Sequence, residues 1–159
     1  MGSAIPAVVD YLKGLADTVA TASSSEVIVT DGWPTLLGHT MFGIGVDRPP
    51  DLSSGQAADG PVAVLTLGNA TLVEQFAVPC YIYRGAGGTD QKACRDAVFA
   101  VFDPFIEQLR ADLLAQPSAV PCLTAMVSNV ALEGPKSEDE AAKGRYALLA
   151  FTVMCRNLY

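Results

Sequence analysis

The chain is poor in the residues that most enzyme chemistry needs. It has one histidine, His39, and only 17% charged residues in a length of 159. No HExxH, GxSxG or Walker A pattern occurs, and no Cys/His spacing suits zinc. Cys80, Cys94, Cys122 and Cys155 stand singly, with no CxxC. They read as small buried hydrophobes of a reducing compartment, not as a disulfide framework. Basic residues are scarce too: ten Lys and Arg against seventeen Asp and Glu give a net charge of −7. With no Lys/Arg cluster to displace counterions, a sequence-independent grip on nucleic-acid backbone is not expected. No apolar run reaches the roughly 18 residues of a membrane span, and no basic, then apolar, leader is visible. Met1-Gly2-Ser3 opens like an acylation site, but Pro6 stands where Ser or Thr is required.

Hydrophobic residues, by contrast, make up half of the chain. That excludes disorder, and it points to apolar surface that another chain covers. Ile5, Val8, Val9, Leu12, Leu15, Ala16 and Val19 recur at helical spacing, so Ser3 to Ala20 reads as a helix with Ser3 as its cap. Glu26 to Thr30 is a short β-branched strand, stopped by the turn Asp31-Gly32-Trp33-Pro34. Met41 to Val46 is a possible strand weakened by Gly43 and Gly45. Arg48 to Gly60, with Pro49, Pro50, Gly55 and Gly60, reads as a long mobile loop, either a docking segment or a tolerated insertion.

Pro61 to Leu67 and Glu74 to Arg84 alternate as strands. Pro79 within the second implies a bulge or a sheet edge, because proline cannot donate to a ladder. Gly85-Ala86-Gly87-Gly88 only superficially resembles a phosphate cradle, since no lysine follows. Thr89 or Asp90 then caps the longest helix, Gln91 to Gln116, with Pro104 expected to kink it. Thr124 to Glu133 is a strand, and Gly134 to Lys143 a charged hairpin loop.

The closing segment, Gly144 to Tyr159, is apolar on both alternation faces. Ala147, Leu149, Phe151, Val153 and Cys155 point one way; Tyr146, Leu148, Ala150, Thr152 and Met154 point the other. A strand covered on both sides lies inside a sheet. The long helix suits one face; the first helix or a neighbouring subunit is left for the other. The order of elements predicts a single α+β domain over residues 1–159: a mostly antiparallel sheet with two helices packed against it.

This order resembles the tail terminator proteins of long non-contractile-tailed phages, the lambda-type minor tail family, in its actinobacteriophage versions. The likeness rests on the opening helix Ile5-Pro6-Ala7-Val8-Val9, the Val29-Thr30-Asp31-Gly32-Trp33-Pro34 strand and turn, and the strand Glu74 to Arg84. The helix Asp90 to Gln116 and the closing strand complete it. The resemblance implies a hexameric ring in the virion tail, assembled in the host cytoplasm. Such a ring caps the tail tube, ends its polymerisation and presents a surface to the neck. Its partners would be further copies of itself, the major tail tube protein and a neck or head-completion protein. Genomic DNA would pass through the lumen without specific binding, and no membrane is involved. No catalytic, cofactor-binding or metal residues come with the family, and no enzyme activity is expected.

Two loops fit docking against tube or neck, with Arg48 and Asp51 in the first and Lys136, Glu138, Asp139, Glu140 and Lys143 in the second. A solvated hairpin tip is the other reading of the second loop. Two alternatives to the terminator stay open: a head-closure or neck adaptor, and a small cytoplasmic enzyme or ligand-binding domain.

Overall fold

The computed structural model describes residues 3–24, 26–32, 40–46, 63–67, 73–86, 90–115, 120–122, 124–142 and 144–158, with backbone alone at 63–67, 73, 86, 142 and 158. In chain order the elements are α1 (Ile5–Ala22), β1 (Ile28–Asp31), β2 (Thr40–Ile44), β3 (Ala63–Leu67), β4 (Val73–Ala86), α2 (Gln91–Ala115), β5 (Thr124–Glu133), α3 (Glu138–Ala142) and β6 (Arg145–Leu158). The class is α+β, as the element order predicts. The calls on the Trp33-Pro34 end of the first turn, His39, the loop Arg48 to Gly60 and the Gly68-Asn69-Ala70 turn fall outside the described residues.

One sheet runs in the order β1-β2-β4-β6-β5, with β3 also paired to β4. All pairs are antiparallel except β1 with β2. The closing strand β6 lies inside, flanked by β4 along its whole length and by β5. Its two apolar faces are the reason: only an interior strand with both faces at least partly covered tolerates them.

Both long helices pack on one face of this sheet. From α1 come Val8, Leu12, Leu15, Ala16 and Val19; from α2 come Cys94, Val98, Val101, Phe105 and Leu109. They meet Phe42, Ile44, Phe76, Val78, Cys80, Ile82, Leu149, Phe151 and Val153 in a single cluster. Phe42 meets Phe105 with ring centroids 5.0 Å apart, and Phe102 meets Phe151 at the same distance. Edge-on contacts of this kind add to the roughly 2–3 kcal/mol that burying each phenyl ring contributes.

Several local details differ from the sequence expectation. Ala4 rather than Ser3 holds the cap position of α1 and makes no side-chain cap bond, but the Ser3 hydroxyl accepts from Ile5 N–H at 3.1 Å and so still serves one of the helix's first donors. The buried Glu74 of β4 also reaches the helix start. One of its carboxylate oxygens accepts from the Ala4 N–H at 2.9 Å, and the other accepts from the Ser3 hydroxyl. Asp90 does cap α2, accepting from Ala93 N–H at 3.0 Å. The helix runs continuously through Pro104.

Pro79 lies neither at an edge nor in a bulge. It pairs with Thr152 in an unbroken β4/β6 register. Its carbonyl accepts from Gly45 N–H at 2.8 Å on the β2 side, and the missing donor faces the same way. There β2 stops opposite Cys80, and β3 begins only opposite Ala77. The proline therefore occupies a seam where no ladder donor is required.

Candidate interaction surface

The β5–β6 connection carries the acidic residues that the sequence singles out, and it is not a plain hairpin loop. Glu138 to Ala142 form one helical turn, α3. The Ser137 hydroxyl accepts from Glu140 N–H at 3.1 Å, and the Glu140 carboxylate accepts from Lys136 N–H at 2.8 Å. Ser-x-x-Glu is the reciprocal capping pattern, displaced here by one residue. It overrides the loop expectation by satisfying the first orphan N–H groups of the turn. Glu138, Asp139, Glu140 and Lys136 are all exposed, and Lys136 Nζ lies 3.8 Å from Glu133. Arg48, Asp51 and Lys143 lie outside the described residues. The foot of the turn is anchored, since Tyr146 Oη donates to Gly134 O at 3.2 Å and Gln91 Nε2 donates to Tyr146 O at 2.7 Å.

The second sheet face resolves the question left by β6. Neither long helix covers it. At the β2 end it is sealed by the protein's own side chains. Met41, Tyr81 and Leu148 are buried there, with Tyr83 and Tyr146 packed against them and stacked at 6.1 Å between centroids. The Tyr81 ring lies across the bare backbone of Gly43, where a Cβ would fall 2.1 Å from Tyr81 Cε1. Burial pushes the Tyr81 hydroxyl up to about 12, the neighbouring Thr30 side chain pulling the other way.

Toward β5 the same face opens. Ala150, Thr152 and Met154 are only partly buried. Met126, paired with Met154, is 64% exposed on this face, whereas Val130, 51% exposed, lies beyond a bulge on the helix side with Phe151. Between them Asn129 has φ 53°, and the register with β6 shifts between Ser128 and Ala131. Asn129 and Val130 thus jointly oppose Phe151, a bulge of the kind that protects sheet edges. Asparagine tolerates the left-handed backbone that this needs. Among the described residues β5 pairs with β6 alone.

No group of three His, Cys, Asp or Glu among the described residues is placed to hold a metal. A cleft of about 220 Å³ between α1 and α2 is lined by Thr18, Val19, Ala22, Ser23, Ala100, Pro104 and Gln108, none of them titratable. Among the described residues no helix is long and apolar enough to cross a membrane. Compared with known proteins, the chain matches no family model and no curated relative.

Proposed function

We propose that this chain is a ring-forming structural component of a phage tail, a terminator that caps the tail tube and presents a surface to the neck. The observation that carries the proposal is the open half of the second sheet face. Met126 is exposed on an edge strand beside the half-buried Met154, with no helix over them among the described residues. An exposed apolar flank next to a fully built core is the surface that a neighbouring subunit would cover. The acidic turn α3 follows the other end of β5, whose last residue, Glu133, lies seven residues from Met126, or about 23 Å at 3.3 Å per residue. A ring stacked between tube and neck uses flanks for its own copies and poles for other proteins, and this separation suits both.

Deletion of the gene in its phage tests the proposal. Tails of uncontrolled length support termination. Tails of normal length that fail to join heads would favour a neck adaptor instead, and unchanged virions would reject both. Native mass measurements and electron micrographs, with and without tube protein, test the ring separately. A chain that stays monomeric in both cases would count against it.

A further inference from the structure

Two arginines share one end of the sheet, and no carboxylate among the described residues forms an ion pair with either. Arg84 of β4 lies opposite Ala147 of β6, and Arg145 of β6 lies opposite Ala86. Phe76, Val78, Cys80 and Ile82 of β4 face the helices, as do Ala147, Leu149 and Phe151 of β6. Strand alternation therefore puts Arg84 and Arg145 on that same face, as diagonal neighbours about 7–8 Å apart. The first turn of α2 is tied down beside them. Cys94 Sγ donates to Arg145 O at 3.7 Å, and Gln91 Nε2 to Tyr146 O at 2.7 Å.

Other charges at this end have partners. Lys92 pairs with Asp96, which Arg95 also approaches at 4.0 Å, and Lys136 lies 3.8 Å from Glu133. Asp90 is taken up in capping α2. The two sheet arginines differ. Arg84 Nη1 donates to the hydroxyl of the fully buried Thr40 at 2.6 Å, which holds the guanidinium in place without neutralising it. Arg145 Nε is buried and finds no acceptor among the described residues. A buried charged donor without an acceptor is unfavourable, and two cations on one face repel each other. An anion held between them relieves both.

We propose that Arg84 and Arg145 bind a phosphate-type oxyanion. The Nε edge of Arg145 presents two parallel N–H donors to two oxygens of the anion. Arg84, oriented by Thr40, presents further N–H groups from β4. A tetrahedral anion, with oxygens directed at both guanidiniums at once, suits this pair better than a flat carboxylate. The site rests on the arginine side chains, so the missing lysine after Gly85-Ala86-Gly87-Gly88 does not count against it.

The test titrates the full chain with sodium phosphate in a calorimeter, against sodium chloride of equal ionic strength. Phosphate should bind saturably, and at ten times its dissociation constant it should raise the melting temperature by roughly 3–6 °C. Chloride should do neither. Adenosine monophosphate is titrated alongside: tighter binding than phosphate means that the group arrives on a nucleotide, and weaker binding means that the free ion is the ligand. Arg84→Gln and Arg145→Gln should each lower the affinity by roughly tenfold or more. Arg145→Lys keeps the charge but loses the paired donors, and should lower it by a similar factor. Arg156→Gln removes an exposed arginine at the far end of β6 and should bind as wild type does. Should a variant at Arg84 or Arg145 fail to fold, the wild-type comparison with chloride and the Arg156→Gln titration decide. No saturable binding up to about 20 mM phosphate, an equal response to chloride, affinity kept in both Arg84→Gln and Arg145→Gln, or affinity lost in Arg156→Gln would each overturn the proposal.

Discussion

Gly43→Ala is a one-methyl perturbation that probes how the second sheet face is sealed. Gly43 sits in β2 between Thr30 of β1 and Tyr81 of β4. A Cβ there would lie 2.1, 2.6 and 2.7 Å from Tyr81 Cε1, Cζ and Cδ1. Such contacts cannot persist, so the ring must leave its place. Tyr81 is fully buried and has nowhere cheap to go. Gly43 is not one of the positive-φ glycines, so the backbone itself raises no objection to alanine. The expected cost is therefore steric, about 1–3 kcal/mol for overpacking, offset by about 0.5–1 kcal/mol because alanine loses less entropy than glycine on folding. A net destabilisation of about 1–2 kcal/mol follows, or roughly 2–8 °C in melting temperature for a chain of this size.

Chemical denaturation of Gly43→Ala, Tyr81→Ala and the double variant closes the cycle. Tyr81→Ala alone should cost about 3–5 kcal/mol, as other large-to-small changes of buried aromatics do. In its background Gly43→Ala should be neutral or mildly stabilising, because the obstructing ring is gone. An equal cost of Gly43→Ala in both backgrounds, or none in the wild-type background, would refute the steric account.

Other outcomes follow from the same structure. Glu74→Ala should destabilise by about 2–3 kcal/mol in urea titration, since it strips a buried charge-assisted bond from the start of α1; Ser3→Ala should cost less, about 0.5–1.5 kcal/mol. Stability should fall steeply above pH 10. Burial, and for Tyr11 the bond its hydroxyl donates to Asp112 at 2.6 Å, raise the folded Tyr11 and Tyr81 phenols above the ordinary value near 10. Groups raised in this way stabilise fully below their unfolded value, and that contribution disappears as pH climbs through the folded one. An unfolding midpoint unchanged between pH 8 and 11 would refute this. Met126→Glu should leave the monomer's stability within about 0.5 kcal/mol of wild type yet weaken self-association in native mass spectra. Charge reversal of Glu138, Asp139 and Glu140 should leave self-association intact and impair tail assembly or head joining, as scored by electron microscopy.

The elements that periodicity could identify were those with long, consistent patterns. The helices α1 and α2 and the strands β4, β5 and β6 lie within two residues of their expected ends, because each alternates or repeats over ten positions or more. What escaped depends on pairing. The parallel β1/β2 contact is not written in either short strand, since residues far apart in the chain must first be aligned. Pro79 is an edge signal in sequence, and only the seam between β2 and β3 accounts for it inside the sheet. Of the candidate site, the acidic residues are legible as a solvated group, but the Ser137-x-x-Glu140 cap sits in a stretch too short to show helical periodicity. The Met126 flank was missed because a bulge at Asn129 reverses the alternation of β5 halfway along. No periodicity count made from the sequence alone assigns both halves of such a strand to the right face.

That bulge also explains why the open flank does not simply invite aggregation. Met126 and Val130 lie on an edge strand, and a flat apolar edge is a template for indiscriminate pairing. The extra residue at Asn129–Val130 breaks the ladder in the middle of β5, so no long regular hydrogen-bonding edge is offered. Any partner at this flank must recognise side chains on a bent strand rather than continue the sheet by backbone pairing along its length. In the proposed ring, shape would then set the specificity: each subunit would meet the next at one fixed angle, and a slip in register would turn the ring into an open filament. The sealed half of the same face, where Tyr81 lies over Gly43 and Leu148 is buried, presents no comparable apolar surface among the described residues. In the proposed ring the Met126 patch would supply one half of a head-to-tail contact, and a different surface of the next subunit would supply the other.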